Sequence, residues 1–488
     1  MKKTLKLLVA GTAATTALGM TAHGQSSDAL IDKLVDKGIL TVKEANELRQ
    51  EADQDFTTAF QTKTGMPDWV KNYKLSGDFR GRYDGEFANE MAPVQYNSAF
   101  GSTPQQNFYD RDRMRYRLRI GLTVVMQDDM EVGFRLGSGD SFLAGSGNPL
   151  SNTSTFGGDA SKKPVWIDAA YGRWTPVHTG NWNLMLTIGK MDQPFKASGM
   201  VFDPDYTPEG ASAQATYQVN EKHSIKFIGG AFVLDYATTN GSAPYYIGDQ
   251  VVWDASWTPK VDSSLGLALF AIGNKSDLGA VNTDVAYSNV GNTRNLSQPG
   301  IPNGSSGDLV YNYTPIVASG SITYKLDSFP FYNGIFPLTV AGEFMHNPGA
   351  PRNNEGWWAG VTLGKSGTRK TWDISYRYEF LEADAWYDQL VDDDNVAFYP
   401  AQIPGSGPGG VAPAYPYNYN DNEFTPGNTK GGIAGGTNVK GHMMKFNYSF
   451  TDSLTFSLTA YLNSLIIPVN STYSSAAVHV MGDMQWKF

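Results

Sequence analysis

Residues 111–122 read RDRMRYRLRIGL, with arginine at 111, 113, 115, 117 and 119. An extended chain sends successive side chains to opposite faces. Arg111, Arg113, Arg115, Arg117 and Arg119 therefore share one face, and Met114, Tyr116, Leu118, Ile120, Leu122 and Val124 share the other. Neighbouring arginines then stand about 6.7 Å apart, two strand residues. Each pair repels by roughly 0.6 kcal/mol in water and by roughly 2.5 kcal/mol at an effective dielectric of about 20. Such a ladder must be hydrated or faced by acids, and it cannot lie on a dry core. Two settings meet that condition: the wet face of a soluble β-sandwich, or a strand with lipid on one side and a water-filled lumen on the other.

The rest of the chain separates the two. After Pro67 come sixteen alternating segments: 73–84, 111–126, 130–140, 165–175, 183–191, 210–219, 223–233, 249–258, 263–273, 316–327, 336–346, 355–365, 371–381, 440–450, 454–464 and 475–488. Most approach the 9–11 residues that a tilted membrane-crossing strand requires. Alternation is weak in 165–175 and 336–346, so fourteen or eighteen strands also fit. Short links such as QDD at 127–129, NEK at 220–222, KSGTR at 365–369 and TDS at 451–453 alternate with mostly long ones, including 85–110, 192–209, 274–315 and 382–439. A sandwich gives no reason for that rhythm. An up-and-down membrane barrel does, with tight turns at one rim and longer loops at the other. An even strand number puts both ends of the barrel at the same rim.

The N-terminus fits export. MKKTLK is a basic start, LLVAGTAATTALGM an apolar run too short to span a bilayer, and AHG a small-x-small site before Gln25. Residues 1–24 are expected to be a signal peptide. Removing Lys2, Lys3 and Lys6 leaves 35 basic against 48 acidic residues, a charge of −13. That acidity argues against nucleic acid as a partner. The chain has no cysteine, so disulfides, thiol catalysis and Cys-based metal sites are excluded. The mean hydropathy of −0.34 is compatible with a membrane barrel, whose strands are only half apolar.

Residues 25–66 differ in pattern from the alternating segments after them. A short helix closed by Gly38 precedes a capping box at Thr41 and Glu44. Val42, Ala45, Leu48, Ala52 and Phe56 then fall near one face. This predicts a periplasmic helical hairpin ahead of a barrel at 67–488, acting as a packing module, a coiled coil or a peptidoglycan contact.

Parity assigns the faces. In the first strand Asp78, Arg80, Arg82 and Asp84 point inward, with Leu75, Phe79 and Tyr83 toward lipid. In the third, Glu131 and Arg135 point inward against Met130, Val132, Phe134 and Leu136. The reverse register would put five arginines into lipid, at roughly 2–4 kcal/mol for each one near the midplane. The acids Asp78, Asp84, Asp112 and Glu131 are the candidates to neutralise the ladder. Aromatics near strand ends (Tyr73, Tyr83, Trp174, Trp182, Trp257, Trp372, Phe380) suit an interfacial girdle.

Three stretches carry a resemblance: DALIDKLVDKGILTVKEANELRQEAD at 28–53, LEADAW at 381–386 and GGTNVKGHMMKFNYSF at 435–450. With them the mature chain resembles a family of outer-membrane porins of Gram-negative bacteria that carry a short N-terminal helical segment. The final strand, VHVMGDMQWKF, ends on Phe488 and resembles the signal that the barrel-assembly machinery reads. The family implies a passive channel embedded in outer-membrane lipid and, by analogy with general porins, a homotrimer. In general porins the loop after the fifth strand folds into the lumen. By that resemblance residues 192–209 bring Asp203, Asp205 and Glu209 opposite the arginines, with Lys196 nearby. The channel wall is then expected to carry Asp78, Arg80, Arg82, Arg111, Arg113, Arg115, Arg117, Arg119 and Arg135.

Other chemistry is weak in this sequence. LVDDDN at 390–395 offers carboxylates for a divalent cation but lacks the spacing of an EF-hand loop, and it reads rather as a solvated surface loop. There is no HExxH, GxSxG or P-loop, so no catalytic residue, metal or cofactor is assigned. The expected function is passive diffusion of ions and small hydrophilic solutes. The rivals are a closed-lumen adhesin or structural barrel and, further off, an outer-membrane enzyme. An energised transporter would need a larger N-terminal plug.

Overall fold

The computed structural model describes residues 67–88, 110–140, 150–236, 242–278, 291–295, 308–399, 432–467 and 474–488, together with Ala45. The chain divides into two compact units, residues 1–72 and 73–488. In the first, Ala45 is helical and residues 70–72 are extended. The expected signal peptide and the hairpin at 25–66 otherwise lie outside the described residues.

The second unit is a closed antiparallel barrel. Its sixteen strands are β1 (Val70–Ala88), β2 (Arg111–Met126), β3 (Met130–Ser138), β4 (Val165–Thr179), β5 (Trp182–Lys190), β6 (Glu209–Asn220), β7 (His223–Val233), β8 (Tyr245–Thr258), β9 (Val261–Gly273), β10 (Ile316–Leu326), β11 (Phe336–His346), β12 (Glu355–Gly364), β13 (Thr371–Leu381), β14 (Val439–Ser449), β15 (Leu454–Leu465) and β16 (Ala477–Lys487). Each pairs with the next, and β16 returns to β1 with Asp78 opposite Lys487 and Ala88 opposite Ala477. Closure leaves no open edge, which a sheet in hydrocarbon requires. Among the described residues no helix is long and apolar enough to cross a membrane.

The two weakly alternating segments are both strands, and the reasons differ. On β4, Arg135 faces Ala169 and Leu136 faces Ile167, so Asp168 is a bulge. Ile167 stays outside while Asp168 and Ala169 both turn inward and are buried. A second irregularity falls between Trp174 and Val177. Each bulge adds a residue to one strand and resets its parity. On β11 the pairing is regular, but the inward residue Met345 is apolar and fully buried. Alternation fades there because the inner face is also covered by protein.

Sequence chemistry fits the turns. The β2–β3 link places Asp128 and Asp129 both at φ 56°, the geometry of a two-residue hairpin turn that aspartate tolerates better than most residues. The outer face is apolar: Leu118, Ile120, Val132, Phe134, Leu265, Leu267 and Leu269 are all exposed. Of the girdle candidates, Tyr73, Tyr83, Trp174, Trp182 and Trp257 are exposed as well. Trp372 instead packs edge-on against Phe336 at the rim formed by residues 327–335, and Phe380 stacks on Trp357.

Candidate functional site

The ladder of β2 meets its charges on the neighbouring strand. β1 carries Asp78, Asp84 and Glu86 on its inner face, all at most 8 % exposed. Arg119 Nε donates to Asp78 at 2.7 Å, and Arg117 Nη2 donates to the same carboxylate at 3.1 Å. Arg115 donates to Asp84 at 2.7 Å. Arg113 reaches both Asp84 at 3.2 Å and Glu86 at 2.7 Å, and Arg111 reaches Glu86 at 2.7 Å. Three acids and five arginines thus interleave. The repulsion expected along β2 is offset by carboxylates one strand away, in a geometry suited to charge-assisted hydrogen bonds.

The adjoining strands extend this network. Arg82 grips Asp483 of β16 through two bonds, 2.8 Å and 3.0 Å. Arg80 donates to Thr153 at 2.7 Å, and its contact with Asp483 is 4.0 Å. His479 Nε2 lies 3.2 Å from Asp84. Arg135 pairs with the bulge residue Asp168 and, at 2.6 Å, with Asp192. Of the proposed neutralising acids, Asp78 and Asp84 lie against the ladder. Asp112 is on the opposite parity and accepts from the Tyr83 hydroxyl. Glu131 pairs with Arg173 on β4 at 2.7 Å.

The segment 191–208, after β5, runs inside the barrel. Met191, Phe195, Met200, Val201 and Phe202 are buried against Ile228, Phe232, Tyr246, Phe270, Val317, Met345 and Leu381 of the surrounding strands. Gly189, just before it, has φ +119°, and a Cβ there would fall 2.3 Å from the Ala170 carbonyl oxygen. Glycine is what the close approach allows.

The four charged residues expected to narrow a lumen part company. Asp205 accepts from Arg117 at 3.2 Å. Asp203 is buried and accepts backbone N–H groups of Asp205 at 2.6 Å and Asp393 at 3.2 Å. Lys196 reaches Asp254 at 3.2 Å and Ser264 at 2.8 Å on the far wall. Glu209 begins β6 and pairs with Lys190 at 3.1 Å.

Sequence reasoning missed a second inward segment, 382–399. Trp386, Tyr387, Leu390 and Val391 join the same buried cluster as the first. The two segments are stitched by Asp203 N to Leu390 O at 2.7 Å and Asp392 N to Gly199 O at 2.8 Å. Asn292 secures the second segment, donating to the carbonyls of Ala383 and Trp386 and accepting from Asp388 N. Four apolar residues within ten positions of a supposed loop were the signal for this burial.

Where the segments meet, Asp203, Asp392 and Asp393 bring carboxylate oxygens within 4.8 Å of one another. The chain's own donors account for much of that grouping. Tyr461 also donates to Asp392 at 3.4 Å, and Arg377 stands 3.6 Å away. Burial, reinforced by the charges of Asp393 and Asp392, holds the Asp203 carboxyl well above the usual carboxylate range. Burial, with Asp394 next in effect, pushes Asp392 up to about 6.

Residues 59–271 match the model of the family described as "Putative porin", the kind of family the sequence resembles, although the three stretches quoted for that resemblance lie outside the matched residues. No curated protein matches the chain. Among solved structures, the outer membrane channel DcaP of Acinetobacter baumannii is 10 % identical, over 86 % of this chain and 97 % of its own, at a TM-score of 0.40. A variant of the Rhodopseudomonas blastica porin is 9 % identical, over 86 % of this chain and 100 % of its own, at a TM-score of 0.39.

Proposed function

We propose that this chain is an outer-membrane porin that passes ions and small hydrophilic solutes down their gradients. The observation that carries the reading is the combination of a closed sixteen-stranded barrel with an apolar outer face and a charged inner one. Sixteen strands are enough to enclose an aqueous channel. The family match over residues 59–271 supports the same reading. The wall of β1, β2, β3 and β16, with its interleaved arginines and acids, would line one side of the path, and Asp205 of the inward segment would meet it at Arg117. Fixed charges of both signs across a narrowed pore order water and select by charge. In this reading the long links lie outside the cell, the N-terminal segment in the periplasm, and the functional unit is a homotrimer.

One observation favours a second reading. The two inward segments share a continuous buried cluster, as a structural barrel with a plugged lumen would. Planar-bilayer recording of the refolded mature protein separates the two. A channel gives steady conductance steps, with triplet steps for a trimer. A potassium chloride gradient then gives a reversal potential, and Arg113→Ser/Arg115→Ser/Arg117→Ser moves it toward potassium. A folded barrel without conductance would overturn the porin reading in favour of the closed one.

A further inference from the structure

The stretch LVDDDN reads in sequence as a surface loop, yet it reaches the inner faces of four strands. Asp392 lies 3.6 Å from Arg377 on β13 and accepts from Tyr461 on β15. The Asp394 carbonyl lies 3.0 Å from His479 Nδ1 on β16, and its carboxylate lies 3.6 Å from Arg82 on β1. Its neighbours also bond to Gly199 and Asp203 of the first inward segment. One hexapeptide can touch all of these only from inside the barrel. We propose that residues 390–395 are a second constriction element, and that Asp394 sets the charge selectivity of the pore by covering Arg82.

The cover is directional. The Arg82 side chain is 8 % exposed and Asp394 33 %, so the carboxylate is the more solvent-facing of the two. Arg82 also holds Asp483, and Arg80, which donates to Thr153, reaches that same acid at 4.0 Å. Neutralising Asp394 leaves Arg80 and Arg82 sharing one carboxylate, and this part of the wall gains a net positive charge. A permeating anion must otherwise compete with a carboxylate tethered to the protein. The inference rests on the channel reading, and the experiment keeps the two apart.

The test is bilayer recording of the full mature chain carrying Asp394→Asn, with Asp327→Asn as a control on a solvent-exposed turn. The reversal potential in a potassium chloride gradient should shift toward chloride for Asp394→Asn and stay at the wild-type value for Asp327→Asn. The chain has no cysteine, so Asp394→Cys offers a second readout. Its modification by a thiol reagent of fixed charge should lower conductance stepwise. A silent Asp394→Asn beside an Asp205→Asn that does shift, with modification of Asp394→Cys leaving conductance unchanged, would overturn the second constriction and leave the channel standing. Absence of conductance in the wild type would overturn the channel reading, and the inference with it.

Discussion

Asp84 has no exposure to solvent, and its carboxylate meets Arg113, Arg115 and His479. A buried carboxylate is costly to dehydrate, so its position depends on all three partners together. Asp84→Asn keeps the shape but takes away the carboxylate that Arg115 holds and leaves Arg113 with Glu86 alone. Removing one partner from a buried ion pair typically costs roughly 3–5 kcal/mol. The expected outcome is a clearly lower urea midpoint for the refolded barrel, with the denaturant slope unchanged. A midpoint equal to wild type would mean that water or Glu86 replaces the lost charge. Parity in the sequence is enough to place Asp84 and the arginines on one face. It does not reveal Glu86, which lies two residues past the strand end read from the sequence, nor Asp483 and Asp394, which lie some 400 and 310 residues downstream of Arg82. Those pairings depend on barrel closure and loop path, and no local pattern encodes them.

At the level of elements, the strands are legible in the sequence and the inward segments only half so. Strands follow period 2, and the bulge at Asp168 explains the worst lapse. The 191–208 segment is reached through resemblance rather than pattern. The 382–399 segment reads as exposed, because a long link rich in glycine and proline farther along obscures the apolar group at Trp386–Val391. Trp386 is fully buried among Phe202 and Phe270. Trp386→Ala removes a large buried ring, which in a core costs roughly 3–5 kcal/mol. The loss falls on loop docking, so limited proteolysis should cut within 382–399 while heat-modifiable gel mobility stays normal. Unchanged cleavage would show that Asn292 and the backbone bonds hold the segment without the ring. The docking should also respond to pH. Asp392 is pushed up to about 6 and Asp203 well above its ordinary range. The docked form therefore binds more protons than the released form once pH exceeds the ordinary carboxylate value. Docking is strongest below that value and weakens as pH rises through about 6, with Asp203 extending the loss upward. Proteolysis of 382–399 should be slower at pH 5 than at pH 8, and Asp392→Asn should reduce the difference without abolishing it, because burial also raises Asp203 and Asp393.

On the scale of the whole molecule, closure and field decide behaviour. The seam ends with Gly77 and Phe488, which exchange backbone bonds of 2.8 Å and 3.0 Å. A Cβ at Gly77 would sit 2.5 Å from both the Phe488 ring and the Arg119 carbonyl oxygen. Gly77→Val should therefore reduce the folded, heat-modifiable fraction on refolding into lipid, and Phe488→Ala in the same chain should not fully restore it, because the carbonyl remains. The field is a matter of balance. The inner arginines of β1–β3 face a nearly equal set of acids, so selectivity rests on small differences between opposing charges, and salt should erase it. The Debye length is about 10 Å at 0.1 M ionic strength and about 3 Å at 1 M. Partly buried pairs such as Arg82 with Asp483 are screened little, while the more exposed Asp205 and Asp394 are screened strongly. For a fixed concentration ratio, the reversal potential should thus be largest in dilute potassium chloride and fall toward zero near molar salt, in Asp394→Asn as in the wild type. A potential that held its value in molar salt would place selectivity in the buried charge pairs rather than in the more exposed acids.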